Sequence, residues 1–199
     1  SAHSLLSSAL TAWPEAPAVL LREHYRCHPK IINFCNQKFY GGKLIVMTAD
    51  HDEPDVLTMY RTAPGNHARG RLNQREIDVI QKEVLPHLQE KGYRSIGVIT
   101  PYRDQVAALQ SQLGGGIEAV TVHKFQGREK DAIVLTSVDN VITEFVDDPR
   151  MLNVAVSRAV KSLTVVTSQD PRNDQTNYGD LARYIEYNNC AVVESAVYS

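Results

Sequence analysis

The chain of 199 residues has no excess of either charge: 21 Lys and Arg against 23 Asp and Glu leave a net charge of −2. A global basic field is therefore excluded, and any contact with nucleic acid has to come from local patches. Cysteine is scarce. Cys27, Cys35 and Cys190 form no CxxC pair, which argues against a disulfide framework and a zinc knuckle. A reducing, intracellular compartment fits best, cytoplasmic or, in a eukaryote, nuclear. No apolar run approaches membrane-spanning length. Residues 1–13 carry no charged segment ahead of their apolar residues, so no signal peptide is expected, and the missing initial Met suits a processed or excised piece. There is no GxxxxGKS/T phosphate loop; the glycine triplet at 114–116 is a simple turn followed by Ile117. Nor does any apolar run end in paired acids of the kind that hold Mg²⁺.

What is present is an ordinary globular composition, 43% apolar and 22% charged, in a length that suits one domain. Residues 1–17 read as a lead-in of weak helical character, and residues 18–199 as the domain. The most informative stretch is 119–138. A β-type run at 119–122 leads into a polar loop, Gln126-Gly127-Arg128-Glu129-Lys130-Asp131, and then into the unbroken apolar run 132–135, continued by Thr136, Ser137 and Val138. A run this rich in Ile and Val, without alternation, suits a strand buried on both faces. The loop reads either as a solvated turn or as a functional loop, with Gly127 permitting close approach.

Along the chain, residues 18–21 suggest a short strand, and Pro29 opens a helix with Ile31, Ile32, Cys35 and Phe39 on its apolar face. Tyr25 and Arg26 then fall in a strand-to-helix loop. His24, Cys27 and His28 have metal-ligand chemistry but no second cluster to complete a site. Strands are expected at 44–47 and 56–60, with a loop at 62–72. Asn73 and Glu76 resemble a capping box opening a helix through Ile77, Ile80, Val84 and Leu88, which Pro86 kinks or shortens. Residues 95–99 read as a buried strand. Thr100 and Pro101 read as N-cap and first residue of a helix whose face carries Tyr102, Val106, Leu109 and Leu113, with Arg103 and Gln105 pointing elsewhere. A helix is expected from Pro149 to about Ser162, with Arg150, Asn153, Ser157 and Lys161 as its polar stripe and Arg158 at the border of its core face. A strand at 163–167, a helix at 180–187 and a strand at 191–193 close the chain.

Strand and helix alternate, which predicts an α/β fold: a parallel sheet with helices on both faces. Ligand loops in such folds gather at the C-terminal ends of strands. Residues 25–26, 100–103 and 125–131 all read as loops following strands, so one shared edge is expected.

Four segments in order, LREHYRCHPKIINFCNQKFY, IGVITPYRDQV, TVHKFQGREKDAIVLTSV and DPRMLNVAVSRAVKSLTVV, together resemble the second RecA-like domain of superfamily 1 helicases, closest to the nonsense-decay and Okazaki-processing branch that translocates 5′ to 3′. The resemblance implies a RecA-like, P-loop NTPase-type sheet without its own phosphate loop. It further implies that ATP binds in a cleft against a first RecA-like domain of the same parent chain, which also holds the Mg²⁺. Tyr25 would stack on adenine, Arg26 and Arg158 would reach the γ-phosphate, and Gly127, Arg128 and Glu129 would line the cleft. Thr100, Pro101, Tyr102, Arg103, Thr121 and His123 would touch the backbone of single-stranded DNA or RNA, with Gln126 coupling the two ligands. His24 stands where Gln is common and His123 where Asp is common. On this reading the chain is half of an ATP-dependent helicase and inactive alone. The alternative of a different class is a non-catalytic nucleic-acid-binding or protein-interaction module that keeps the fold; a nuclease or methyltransferase finds no carboxylate cluster or glycine fingerprint here.

Overall fold

A computed structural model of the chain describes residues 24–125 and 128–198. The lead-in at 1–17, the strand expected at 18–21, and Gln126 and Gly127 lie outside the described residues. Six strands form the main sheet: β3 (Leu57–Arg61), β6 (Ile96–Thr100), β7 (Ile117–Thr121), β8 (Lys130–Thr136), β9 (Ala159–Thr167) and β10 (Ala191–Glu194). Their order is β10-β3-β9-β8-β6-β7, and every pairing is parallel. Two small pairs flank the sheet: β1 (His24–Tyr25) with β2 (Ile45–Val46), parallel, and the hairpin of β4 (Ala68–Arg69) with β5 (Leu72–Asn73). That hairpin lies in a segment read from sequence as plain loop. The fold is RecA-like, as expected.

Both faces are covered, and the strands show why. In β8, Ile133 and Leu135 join one apolar cluster while Ala132 and Val134 join the other. The first cluster takes in α1 (Pro29–Phe39), α4 (Pro149–Ser157) and α5 (Asn177–Tyr187). The second takes in α2, residues 74–90, and α3 (Arg103–Gln112). Every residue of β8 from Ala132 to Thr136 is buried, so its sequence cannot alternate. No helix among the described residues is long and apolar enough to cross a membrane.

Helix α2 does not stop at Pro86. It runs Gln74–Val79, widens to a π turn at Ile80–Val84, and continues as Leu85–Glu90. Leu85 N–H reaches Ile80 O, five residues back. Pro86 has no N–H to donate and its ring crowds the carbonyl four residues earlier; a wider turn accommodates both problems. Gly92, at φ +78, follows the helix.

Several assignments differ from the sequence reading. Helix α3 begins at Arg103 with Tyr102 as N-cap, because Thr100 is still the last residue of β6. Helix α4 ends at Ser157, since Ala159–Thr167 is one nine-residue strand held between β3 and β8. Asn153 and Ser157 are buried rather than part of a polar stripe. Asn153 Nδ2 donates to the Tyr40 hydroxyl of the α1 C-cap.

The polar centre of the fold is Glu76, which is fully buried. Asn73 Oδ1 accepts from Glu76 N–H at 3.0 Å, as an N-cap should. The carboxylate does not close a capping box. Oε1 accepts from Thr136 Oγ1 (2.5 Å) and Val138 N–H (3.0 Å), and Oε2 from Ser168 Oγ (2.5 Å) and Asn73 Nδ2 (3.3 Å). Asn73 N–H goes instead to Gln105 Oε1 at 2.9 Å, so Gln105 is buried and not turned outward. One side chain thus ties α2 to the C-terminal ends of β8 and β9.

Burial pushes the Glu76 carboxyl up to about 7 from its ordinary 4.5, against the lowering effect of the hydrogen bonds from Ser168, Thr136 and Val138. The folded chain therefore binds more protons than the unfolded chain between those values. This contribution to stability is complete below about pH 4.5 and is lost as pH rises through about 7. Glu76→Gln is expected to flatten the decline in urea midpoint between pH 5 and pH 8; an unchanged decline would refute the assignment. Glu76→Ala strands several buried donors and is expected to cost about 3 kcal/mol or more at pH 6.

Candidate functional site at the two ends of the sheet

Three hydrogen bonds to backbone carbonyls bring distant segments together at the N-terminal ends of β8 and β9. His28 N–H donates to Val160 O (2.8 Å), Lys130 N–H to Arg158 O (3.0 Å), and the Cys27 thiol to Ser157 O (3.2 Å). Arg26, Glu129 and Arg158 are thereby gathered at one edge, although Arg26 lies about a hundred residues or more before the other two in the sequence. The Cys27 thiol registers this: it is pushed up to about 12, chiefly by burial and then by the charge of Glu129, with Arg158 opposing. Arg158 is the C-cap of α4, where the negative end of the helix favours a cation. Its Nη1 donates to Ser157 Oγ at 3.2 Å, while its Nε is buried and has no hydrogen-bond partner among the described residues. Arg26 and Glu129 are exposed.

Two expected members stand differently. Tyr25 is only 8% exposed and packs in the core, so little of its ring is open to a ligand. Arg128 is drawn towards β7: it pairs with Glu118 at 2.8 Å and donates to Lys124 O at 3.2 Å.

The second group gathers at the opposite end. Strands β6 and β7 finish side by side, with Thr100 paired in register to Thr121. Beyond them lie two adjoining cavities of about 620 and 170 Å³. Pro101, Thr121, His123 and Phe145 border both. Tyr102 and Arg103 line the larger one, and His123 and Arg103 are exposed. The Tyr102 hydroxyl donates to Asp139 Oδ2 at 2.7 Å, and partial burial together with that bond pushes it up to about 12. Thr100 is the exception: it is fully buried, and its hydroxyl has no partner among the described residues. Its side chain cannot reach a ligand in this arrangement, whatever its backbone does.

The expectation of one shared edge is thus corrected. Residues 100–103 and 121–123 follow strands, but 128–129 and Arg158 precede them. In a sheet with every pairing parallel, those are opposite ends, separated by the seven-residue β8 or roughly 20 Å. The segment 122–129 connects them.

A family model described as an AAA domain (AAA_12) matches residues 1–170. The chain belongs to this family. Relatives include a regulator of nonsense transcripts 1 homolog of Arabidopsis thaliana, 29% identical over 87% of this chain and 16% of the relative. The ATP-dependent helicase upf1 of Schizosaccharomyces pombe is 32% identical over 71% of this chain and 19% of its own length. The mouse 5′-3′ DNA helicase ZGRF1 is 28% identical over 84% and 10%. This AAA_12 domain is thus homologous to superfamily 1 helicases of the 5′ to 3′ branch, and it spans less than a fifth of each of these relatives. In fold it is similar to the C-terminal domain of a possible DNA helicase from Lactobacillus plantarum WCFS1, with a TM-score of 0.54 at 15% identity over 85% of this chain and 98% of that one.

The AAA_12 domain has one metal-type cluster among its described residues, His28 with Asp50 and Glu53. It does not suit a cation. Lys30 N–H donates to His28 Nδ1, which fixes the proton on Nε2, and Nε2 faces Glu53 at 2.7 Å. Lys30 Nζ lies 3.6 Å from Asp50 and supplies the positive charge. His28 is a helix cap, not a ligand.

Sequence reading missed Arg71, Asp139 and Phe145. They lie in segments without a motif, and only the folded chain brings them to Tyr102. Gly97 shows how tightly the motif loop is seated: a Cβ there would meet the ring of Phe125 at 3.0 Å and the Lys130 stem at 3.2 Å. Gly97→Ala is expected to lower stability by about 1–3 kcal/mol, measured by urea unfolding. A neutral result would mean that Phe125 is free to move.

Proposed function

We propose that this domain is the arginine-supplying lobe of an ATP-dependent helicase and carries part of its single-strand track. The observation that bears most weight is the gathering of Arg26 and Arg158 at one edge, with a buried Nε on Arg158 that has no hydrogen-bond partner among the described residues. Two guanidinium groups on one lobe suit the charge that spreads over the γ-phosphate oxygens during phosphoryl transfer. ATP would lie between this edge and a first RecA-like domain of the parent chain, which supplies the phosphate loop and Mg²⁺. Glu129, with the neighbouring Gly127, would line the cleft; Arg128 joins it only by leaving Glu118.

Pro101, Tyr102, Arg103, Thr121 and His123 would carry single-stranded DNA or RNA through contacts to its backbone, which hold a strand without reading its sequence. Closure on the γ-phosphate at one end and grip on the strand at the other would alternate through the connecting segment, with Gln126 in the coupling position. The isolated domain lacks the first lobe and is inactive on this reading.

In the full parent protein, Arg158→Ala is expected to lower strand-stimulated ATP turnover by about 10³–10⁵, with circular dichroism unchanged. The isolated 199-residue chain should show no turnover. Turnover by the isolated chain that Arg158→Ala abolishes would defeat the two-lobe reading. A parent inert with every DNA and RNA strand would favour the interaction-module reading.

A further inference from the structure

The geometry points to Phe145 as a nucleobase-stacking residue, on which a base of the bound single strand lies while its neighbouring phosphates meet Arg71, Arg103 and Lys124. The inference rests on the proposed single-strand track and adds to it a contact with the bases.

Phe145 is 64% exposed, so much of its ring is open to a ligand. It is not a loose side chain. Its ring stacks on Tyr102, with centroids 5.5 Å apart and planes inclined by 24°. Tyr102 is itself fixed through its hydroxyl to Asp139, and the Arg71 guanidinium lies 5.9 Å from its centroid. The backbone under Phe145 is held just as firmly. Asp147 N–H closes a turn onto Thr143 O at 2.8 Å, and Val146 is fully buried. The Asp147 carboxylate accepts from the N–H groups of Asn177 and Tyr178 at the start of α5, and Asp148 caps α4. An aromatic ring presented on a fixed pedestal loses little freedom on binding.

Its position also fits. Phe145 borders both cavities, so a strand running from one to the other crosses the ring. The larger cavity is lined by Arg71, Arg103 and Lys124 against a single acid, Asp104. None of these three cations has a carboxylate within ion-pair distance among the described residues, whereas Arg128 and Arg150 are paired with Glu118 and Asp148. Unpaired cations beside an open aromatic face are what a single strand needs: phosphates for the charges, a base for the ring. In a chain of net charge −2, this is the local patch that the overall balance requires.

The test compares two fluorescent 12-mers of equal charge, dT12 and a fully abasic strand, binding the 199-residue chain at low salt. The wild-type chain is expected to bind dT12 at least ~10-fold more tightly. Phe145→Ala should lose most of that preference with binding of the abasic strand unchanged, and Phe145→Trp should restore it. A simple structural role for Phe145 would weaken both strands together. Equal binding of the two strands by the wild-type chain, or a preference that survives Phe145→Ala, would overturn the stacking role and leave the backbone track standing. Binding of neither strand would overturn both.

Discussion

The sheet end that carries the strand-binding candidates depends on one buried carboxylate. Glu76 accepts from the last residue of β8, from Ser168 just past β9 and from the loop beyond β8 at once. Val138 shows what that achieves. It sits at φ +68, a conformation that a β-branched residue adopts only under constraint. Its N–H is taken by Glu76 and its carbonyl by Asn73 Nδ2 at 2.8 Å. With Val138 so held, Asp139 is turned to meet the Tyr102 hydroxyl. An interaction made for folding therefore sets the position of a ring in the candidate track. Removing the carboxylate would release a strained backbone and its neighbouring ring together.

The two ends of the sheet answer different chemical needs. At the N-terminal ends of β8 and β9, the rigid parts are backbone bonds, and the projecting groups are Arg26, Glu129 and Arg158. At the other end, the rigid parts are the polar network around Glu76 and the turn under Phe145. On the proposed function, separation by the length of a strand would keep a phosphate-directed group and a strand-directed group from competing for the same cations. It also means that any communication between them has to travel along the sheet or through residues 122–129.

Much of this was legible in the sequence. The unbroken apolar run at 132–135 announced a strand buried on both sides, and Pro29 and Asn73 marked the starts of their helices. What could not be read was direction. Periodicity says that 125–131 lies between strands but not that its second half belongs to the start of the next one, and an edge assignment follows from that difference. Glu76 was legible as a cap partner and not as a buried tether, because its partners Thr136, Ser168 and Val138 lie sixty to ninety residues away. Phe145 was invisible for a similar reason: an isolated aromatic in a loop has no periodicity to report.

The π turn in α2 has a bearing on how such chains are compared. A widened turn holds one residue more than an α-helical turn over about the same rise. A homologous helix without the proline could run regularly and do with one residue fewer. A single-residue gap at Ile80–Val84 in a comparison of relatives would then mark a change of helical winding, not a mistake of alignment, and the two halves of the helix should be matched separately on either side of it.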